Sequence, residues 1–337
     1  MIGRRLVVLT LLVGGCSDAP ASDGPADSGE SSTTASDPTA TTQAMTAAPT
    51  SAGSGGSTSD GTADGTADGE TDPDPETGSS STGDEPVGSP GCMAPTSLEE
   101  GEHQFMLDGY DRRYILRLPQ NYSTEHPWPL IFALHGNGGN PGYWDAIGGD
   151  RDIRTAFAEE AIIIIPEAIN NAWRDYDAPP ETWPDGIELE LSFFDTVYQS
   201  ARNELCIDDA NVFSMGFSGG GSFSGVLGCR REYIRAIAVG GSVIYFEPED
   251  CVSTPAAWIT IGDQELTAGR EEFRDFFRAL AGCADTSTPG MPDGCIDYDG
   301  CDPDTPVTFC SHPAGHVWPS IGTDATKAFF QGFYGAG

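Results

Sequence analysis

The sequence predicts an α/β fold, a mainly parallel sheet with helices on both faces, preceded by a disordered tether. Three observations carry this expectation. Residues 129–134 and 161–165 are unbroken apolar runs, as strands buried on both faces are. Helix-period stripes lie between such runs, and strand–helix alternation implies a parallel sheet covered on two sides. The composition changes near Cys92, with all the aromatic residues lying beyond it. A length of 337 residues alone suggests two domains. The break in composition reduces that to one domain, residues 92–337, behind a leader.

From the N-terminus, Arg4 and Arg5 precede an apolar run, Leu6 to Val13, then Gly14, Gly15 and Cys16. A basic start, a short apolar run and small residues read as a secretory signal, too short to span a bilayer. Val13-Gly14-Gly15-Cys16 resembles the bacterial lipoprotein signal, although Leu is usual at the first position and Ala or Ser at the second. The resemblance implies cleavage after residue 15 and lipidation of Cys16, and Ser17 is compatible with sorting to the outer membrane. Residues 16–91 follow as an acidic tether of Ser, Thr, Gly, Ala and Pro, with 14 acids and no aromatic residue. Such a segment buries too little apolar surface to offset its ordering entropy, and it would span roughly 50 Å.

Within the domain, residues 112–118 alternate as a strand does. Residues 211–215, 236–239, 257–261 and 307–309 read as further strands. Leu191, Phe194, Tyr198, Ala201 and Leu205 form one helical stripe. Phe273, Phe276, Phe277 and Leu280 form a second, and Phe329, Phe330 and Phe333 mark a last helix.

The formal net charge is -36, from 52 acids and 16 bases. That sign argues against nucleic acid, which needs cations to neutralise phosphates, and against a basic membrane-docking patch. A membrane partner is therefore expected only through the lipid. Eight cysteines remain beyond Cys16, and an even number in an exported chain suggests four disulfides. No Cys-x-x-Cys pair occurs, and no metal or other cofactor is expected. Asp297, Asp299, Asp302 and Asp304 cluster around Gly300, and an acidic loop held by disulfides is favoured there over a calcium site.

Gly216-Phe217-Ser218-Gly219-Gly220 is a G-x-S-x-G motif between a strand and a helix. Its glycines permit a strained turn that lifts a serine Oγ above the sheet. The serine then needs a base and an orienting acid, in the chain order Ser, acid, His. His316 lies in a loop past the strand at 307–309, where catalytic groups gather in open sheets. His312 is nearer the strand and reads as structural. The acid should follow the strand at 257–261, where either Asp263 or Glu265 could serve. Two backbone N–H groups should meet the oxyanion: Gly219, after the nucleophile, and Asn137, in Leu134-His135-Gly136-Asn137-Gly138-Gly139. Trp173, Trp183 and Trp318 are either pocket walls or core.

Together these pieces resemble the secreted feruloyl esterase and poly(3-hydroxybutyrate) depolymerase group of α/β-hydrolases, over about residues 108–320. The resemblance is carried by Arg113-Tyr114 to Pro119, Leu134-His135-Gly136, Pro166-Glu167, Glu190-Leu191-Ser192-Phe193, residues 208–221 and Gly315-His316-Val317-Trp318-Pro319. One departure concerns the acid. The group usually has His-Gly-x-x-Asp, and this chain has Ile261-Gly262-Asp263-Gln264-Glu265, so aligning Gly262 favours Glu265 and leaves Asp263 as the alternative. The resemblance further implies Cys229–Cys251 and Cys283–Cys301 disulfides. It also implies an extracytoplasmic serine esterase with no cofactor, acting on a plant cell-wall aryl or acetyl ester or a hydroxyalkanoate oligomer. The rival reading, motivated by the altered acid loop, is a non-catalytic surface-binding protein on the same fold.

Overall fold

The structure is a computed structural model that describes residues 88–94 and 97–334. The signal, Cys16 and nearly all of the expected tether lie outside the described residues.

The strands, in chain order, are β1 (Gly101–Leu107), β2 (Tyr110–Arg117), β3 (Trp128–Leu134), β4 (Ile162–Pro166), β5 (Ile207–Phe217), β6 (Ala236–Gly240), β7 (Ala256–Gly262), β8 (Ser287–Pro289), β9 (Cys295–Tyr298) and β10 (Val307–His312). The helices are α1 (Ile153–Ala156), α2 (Trp183–Glu204), α3 (Gly219–Arg230), α4 (Ala268–Leu280) and α5 (Gly322–Tyr334). All ten strands form one sheet in the order β1-β2-β4-β3-β5-β6-β7-β10-β9-β8. The six strands from β4 to β10 pair in parallel, and antiparallel strands close both edges.

The apolar runs are continuous because both faces are buried. On β3, Leu130, Phe132 and Leu134 join one core, and Ile131 and Ala133 join the other. The first core is completed by Leu191, Phe193 and Phe194 of α2, Phe223 and Val226 of α3, and Phe273 and Phe277 of α4. The second is completed by Ile153 of α1 and Phe330 of α5. Leu191, Phe194, Tyr198, Ala201 and Leu205 are all buried, as their spacing predicts.

Three strands carried no sequence signal. β1 is an edge strand whose residues alternate only between half-buried and exposed. β8 and β9 are three and four residues long and pair at the opposite edge. Most expected strands extend beyond their predicted runs, above all β5, which starts at Ile207, while β2 and β4 are shifted so that Leu118 and Ala161 fall outside them.

Four disulfides join Cys92–Cys206, Cys229–Cys251, Cys283–Cys301 and Cys295–Cys310. Two of these pairs are the expected ones, and the other two use the four cysteines that had no assignment. Cys92–Cys206 spans 114 residues, the longest loop of the four, and so restricts the unfolded chain most in the loop-entropy account. Beside it, Ser89 N–H donates to Ile207 O and Ser89 Oγ to Leu205 O, so packing begins slightly before Cys92. In the acidic loop, Thr308 Oγ1 donates to Asp297, and Asp304 pairs with Arg235. Among the described residues no His, Cys, Asp or Glu group is arranged to hold a metal ion.

Among the described residues one ion pair is fully buried. Arg112 on β2 donates to Glu190 on α2 at 2.5 Å, and the other Glu190 oxygen accepts Ile169 N–H at 2.8 Å. Burial raises the Glu190 carboxyl above its ordinary range, and Arg112 opposes that shift. Removing one partner strands the other charge. Glu190→Ala is therefore expected to cost about 3–5 kcal/mol in denaturant unfolding, and Glu190→Gln, which still accepts from Ile169, less. A loss under about 1 kcal/mol for Glu190→Ala would contradict this reading.

Candidate active site

β5 ends at Phe217, and α3 begins at Gly219 with nothing but Ser218 between them. Ser218 has φ 58° and ψ -124°, outside the regions that ordinary residues favour. Strain of this kind, on the order of 1–3 kcal/mol, persists only where the surroundings enforce it. Here Ser218 N–H donates to Gly240 O at 2.8 Å, while Gly216 lies against the backbone of Gly220. A Cβ on Gly216 would sit 2.5 Å from the Gly220 carbonyl, which is why this position is glycine. The turn aims Oγ away from the sheet, with the positive end of the twelve-residue α3 beneath it.

Two loops at the carboxyl ends of β7 and β10 meet this serine. Asp263 N–H donates to His312 O, Gln264 N–H to Ala314 O and Gln264 Nε2 to Pro313 O. These three bonds lock one loop to the other. They bring His316 Nε2 to 2.7 Å from Ser218 Oγ. His316 Nδ1 bonds the carboxylate of Glu265, which is buried. With Nδ1–H donating to Glu265, Nε2 is left to accept the serine proton. Asp263 lies on the same loop but is exposed, and it makes no described bond to His316. His312 is buried at the end of β10, as a structural residue would be.

The loop after β3 lies on the other side of Ser218. A Cβ on Gly219 would fall 2.2 Å from Asn137 Oδ1 and 3.0 Å from Asn137 N, so the two expected N–H donors are neighbours. A segment after β4 holds this loop. Trp173 N–H donates to Asn137 Oδ1 at 3.0 Å, and Asn137 Nδ2 donates to Arg174 O at 3.2 Å and Tyr245 Oη at 3.3 Å. Asn171, at φ 62°, accepts from Gly138 N–H and donates its side-chain N–H to Gly139 O. His135 donates through Nδ1 to Gly136 O and accepts Ala168 N–H on Nε2.

Sequence reasoning missed Asn171, Tyr245 and Tyr176. The Asn170-Asn171 pair, both left-handed, was a legible turn signal. The tyrosines had none, because only the fold brings Tyr245 to Asn137. Of the three tryptophans, Trp318 packs in the core against Trp144 and Trp258, and the buried Trp173 donates its indole N–H to His135 O. Trp183 stays half-exposed in a cavity of about 270 Å³, with Arg174 stacked 3.6 Å over its ring and Tyr176 edge-on.

No family model matches the chain. The chain is 30% identical over 265 residues to probable feruloyl esterase C of Aspergillus niger, covering 72% of this chain and 91% of that one. The same identity and coverage relate it to feruloyl esterase C of Emericella nidulans. This chain belongs to the feruloyl esterase family. As a member it is a carboxylic ester hydrolase on an α/β-hydrolase fold. The crystal structure of native pOPH matches with a TM-score of 0.50 at 15% identity, over 72% of this chain and 88% of that one, a likeness that speaks to the fold alone.

In this esterase two buried histidines, His135 and His312, flank the loops around Ser218. Burial is the main cause that pushes His135 and His312 below the ordinary imidazole value of 6.5, and Glu265 and Asp263 partly oppose it at His312. The unfolded chain then binds more protons than the folded one, so stability is lost as pH falls below the unfolded value. The melting temperature is expected to hold above about pH 7 and to fall toward pH 5.5, less steeply in His135→Asn. An equal slope in that variant would remove His135 as a cause.

Proposed function

We propose that the chain is an exported serine esterase that works through an acyl-enzyme. Ser218 Oγ attacks the ester carbonyl while His316 Nε2 takes its proton. Glu265 fixes the imidazole in the productive tautomer and stabilises the imidazolium that forms. The N–H groups of Asn137 and Gly219 receive the developing oxyanion, in a site already built and needing little reorganisation. His316 then returns the proton to the leaving alcohol. A water, deprotonated by the same histidine, releases the acid. The single observation that carries this reading is the unbroken hydrogen-bonded line from Ser218 through His316 to Glu265. Asp263, exposed on the same loop, is the weaker choice of acid.

The substrate we infer is an aryl ester of the feruloyl type. The relatives carry that name, and Asn137 bonds Trp173 and Arg174, which with Trp183 line the neighbouring cavity, while Tyr176 and Tyr245 pack around the arginine. Flat aromatic walls suit an aryl acid better than the flexible aliphatic chain of a hydroxyalkanoate oligomer.

Export fits the four disulfides, which persist in oxidising compartments. Residues 1–15 serve as the signal, Cys16 as the lipid site and residues 16–91 as the acidic spacer. The lipid holds the esterase domain, residues 92–337, at the cell envelope, and the acidic spacer gives it reach.

Two measurements test this reading. Wild type should release ferulate from methyl ferulate and leave hydroxybutyrate oligomers intact, and Ser218→Ala should lower kcat by at least about a thousandfold. Full activity in Ser218→Ala, or no turnover of any ester by wild type, would defeat it, the second outcome favouring a binding protein. Separately, the wild-type protein should partition into detergent, and Cys16→Ala should move it to the aqueous phase. Unchanged partitioning would exclude the lipid anchor.

A further inference from the structure

We propose that Arg270 is a positioning residue for the triad, holding the Glu265 carboxylate in the orientation that His316 requires. The proposal rests on the reading of Ser218, His316 and Glu265 given above.

The need arises from the glutamate. A glutamate side chain has one more rotatable bond than an aspartate, so it loses more rotamer freedom when fixed against an imidazole. Its own loop restrains it weakly, since Gly262 N–H reaches Oε1 only at 3.3 Å. Oε2, the oxygen that meets His316, is the atom that must not move.

Arg270 grips that atom. Its Nη2 lies 3.0 Å from Glu265 Oε2 and 3.1 Å from His316 Nδ1, so one nitrogen spans acid and base. Because Nδ1–H already donates to Glu265, the guanidinium N–H is directed to the carboxylate. Nη1 also donates to the backbone O of Glu265, at 3.4 Å. The residue is thus held through both its side chain and its main chain.

The surroundings leave Arg270 committed to this task. Its Nε is buried without a partner, and Glu265 is its only carboxylate partner among the described residues. Asp263 is exposed and does not engage the guanidinium, and burial favours the neutral form of His312, so no second cation competes for the Glu265 carboxylate. Only 19% of the Arg270 side chain and 7% of that of Glu265 is exposed, which limits screening of the pair. Arg270 sits in the first turn of α4, and the buried rings of Phe273 and Phe277 anchor that helix to the core. A site carried on a packed helix is held more closely than one carried by loops alone.

The guanidinium's positive charge does not itself favour an imidazolium beside it, so what Arg270 contributes to the triad is orientation of the carboxylate. Its loss should therefore appear in kcat and leave substrate binding alone.

The test is a set of kinetic constants for a soluble p-nitrophenyl ester with wild type, R270A, R270K, E265A and the R270A/E265A double variant. R270A is expected to lower kcat by between about tenfold and a hundredfold, the scale of a slightly misplaced catalytic group, with KM within about twofold. R270K, which keeps a cation within reach of Oε2, should recover most of that loss. Because Arg270 acts through Glu265, the double variant should match E265A within about twofold, a non-additivity that a general structural defect would not produce. Wild-type kcat in R270A, or a loss that multiplies undiminished onto E265A, overturns the proposal. Wild-type kcat in E265A would instead overturn the triad on which it rests.

Discussion

The left-handed turn at Ser218 is the constraint on which the site depends. A single residue separates a buried strand from a buried helix, and its backbone would relax if its neighbours allowed. They do not. Gly240 accepts its N–H from one side, and the start of α3 packs on Gly216 and on the Leu134 and His135 carbonyls from the other. The strain is thus imposed by the parallel sheet itself. The same packing sets the distance between Ser218 and the loops after β3, β7 and β10. None of those loops reaches the site alone. Each is fastened to another: the Glu265 loop to the His316 loop, and the Asn137 loop to the segment at 168–174.

Much of this was legible in the residues. Apolar runs marked the central strands, because both faces are buried and few polar residues, Ser214 and Thr260 among them, are accommodated there. G-x-S-x-G marked the turn, because bulkier neighbours would clash there. Aligning on Gly262 brought forward Glu265, the carboxylate that reaches the histidine in the structure. What was illegible has physical reasons as well. β1 alternates between half-buried and exposed residues, so it gives no apolar run. β8 and β9 are too short for periodicity, and the Cys295–Cys310 bridge ties β9 to β10. Asn171 and Tyr245 touch the Asn137 loop only because separate strand ends converge. Nor can a sequence pattern specify which arginine of an amphipathic helix faces inward to a carboxylate.

Acidity has a structural counterpart in the described domain. Apart from Arg151 and Arg174, every basic side chain has a carboxylate within 4.0 Å among the described residues. Most such pairs are half-buried or open to solvent on at least one side and contribute little each. The exceptions are informative. Arg112–Glu190 is buried and ties β2 and α2 to the loop that supports Asn137. Arg270–Glu265 is shielded and adjoins His316. Arg174 rests on aromatic rings beside the cavity. These three cations lie where a charge alters local geometry, and most of the others pair with acids nearer the surface.

The central claim is that Ser218, His316 and two backbone N–H groups form one catalytic unit. A crystal structure of the enzyme inactivated with an alkyl fluorophosphonate tests it most directly. The account predicts a covalent bond from Ser218 Oγ to phosphorus, with one phosphonyl oxygen within about 3.1 Å of both the Asn137 and Gly219 N–H groups. An adduct on another residue, or a phosphonyl oxygen bound elsewhere, would contradict it.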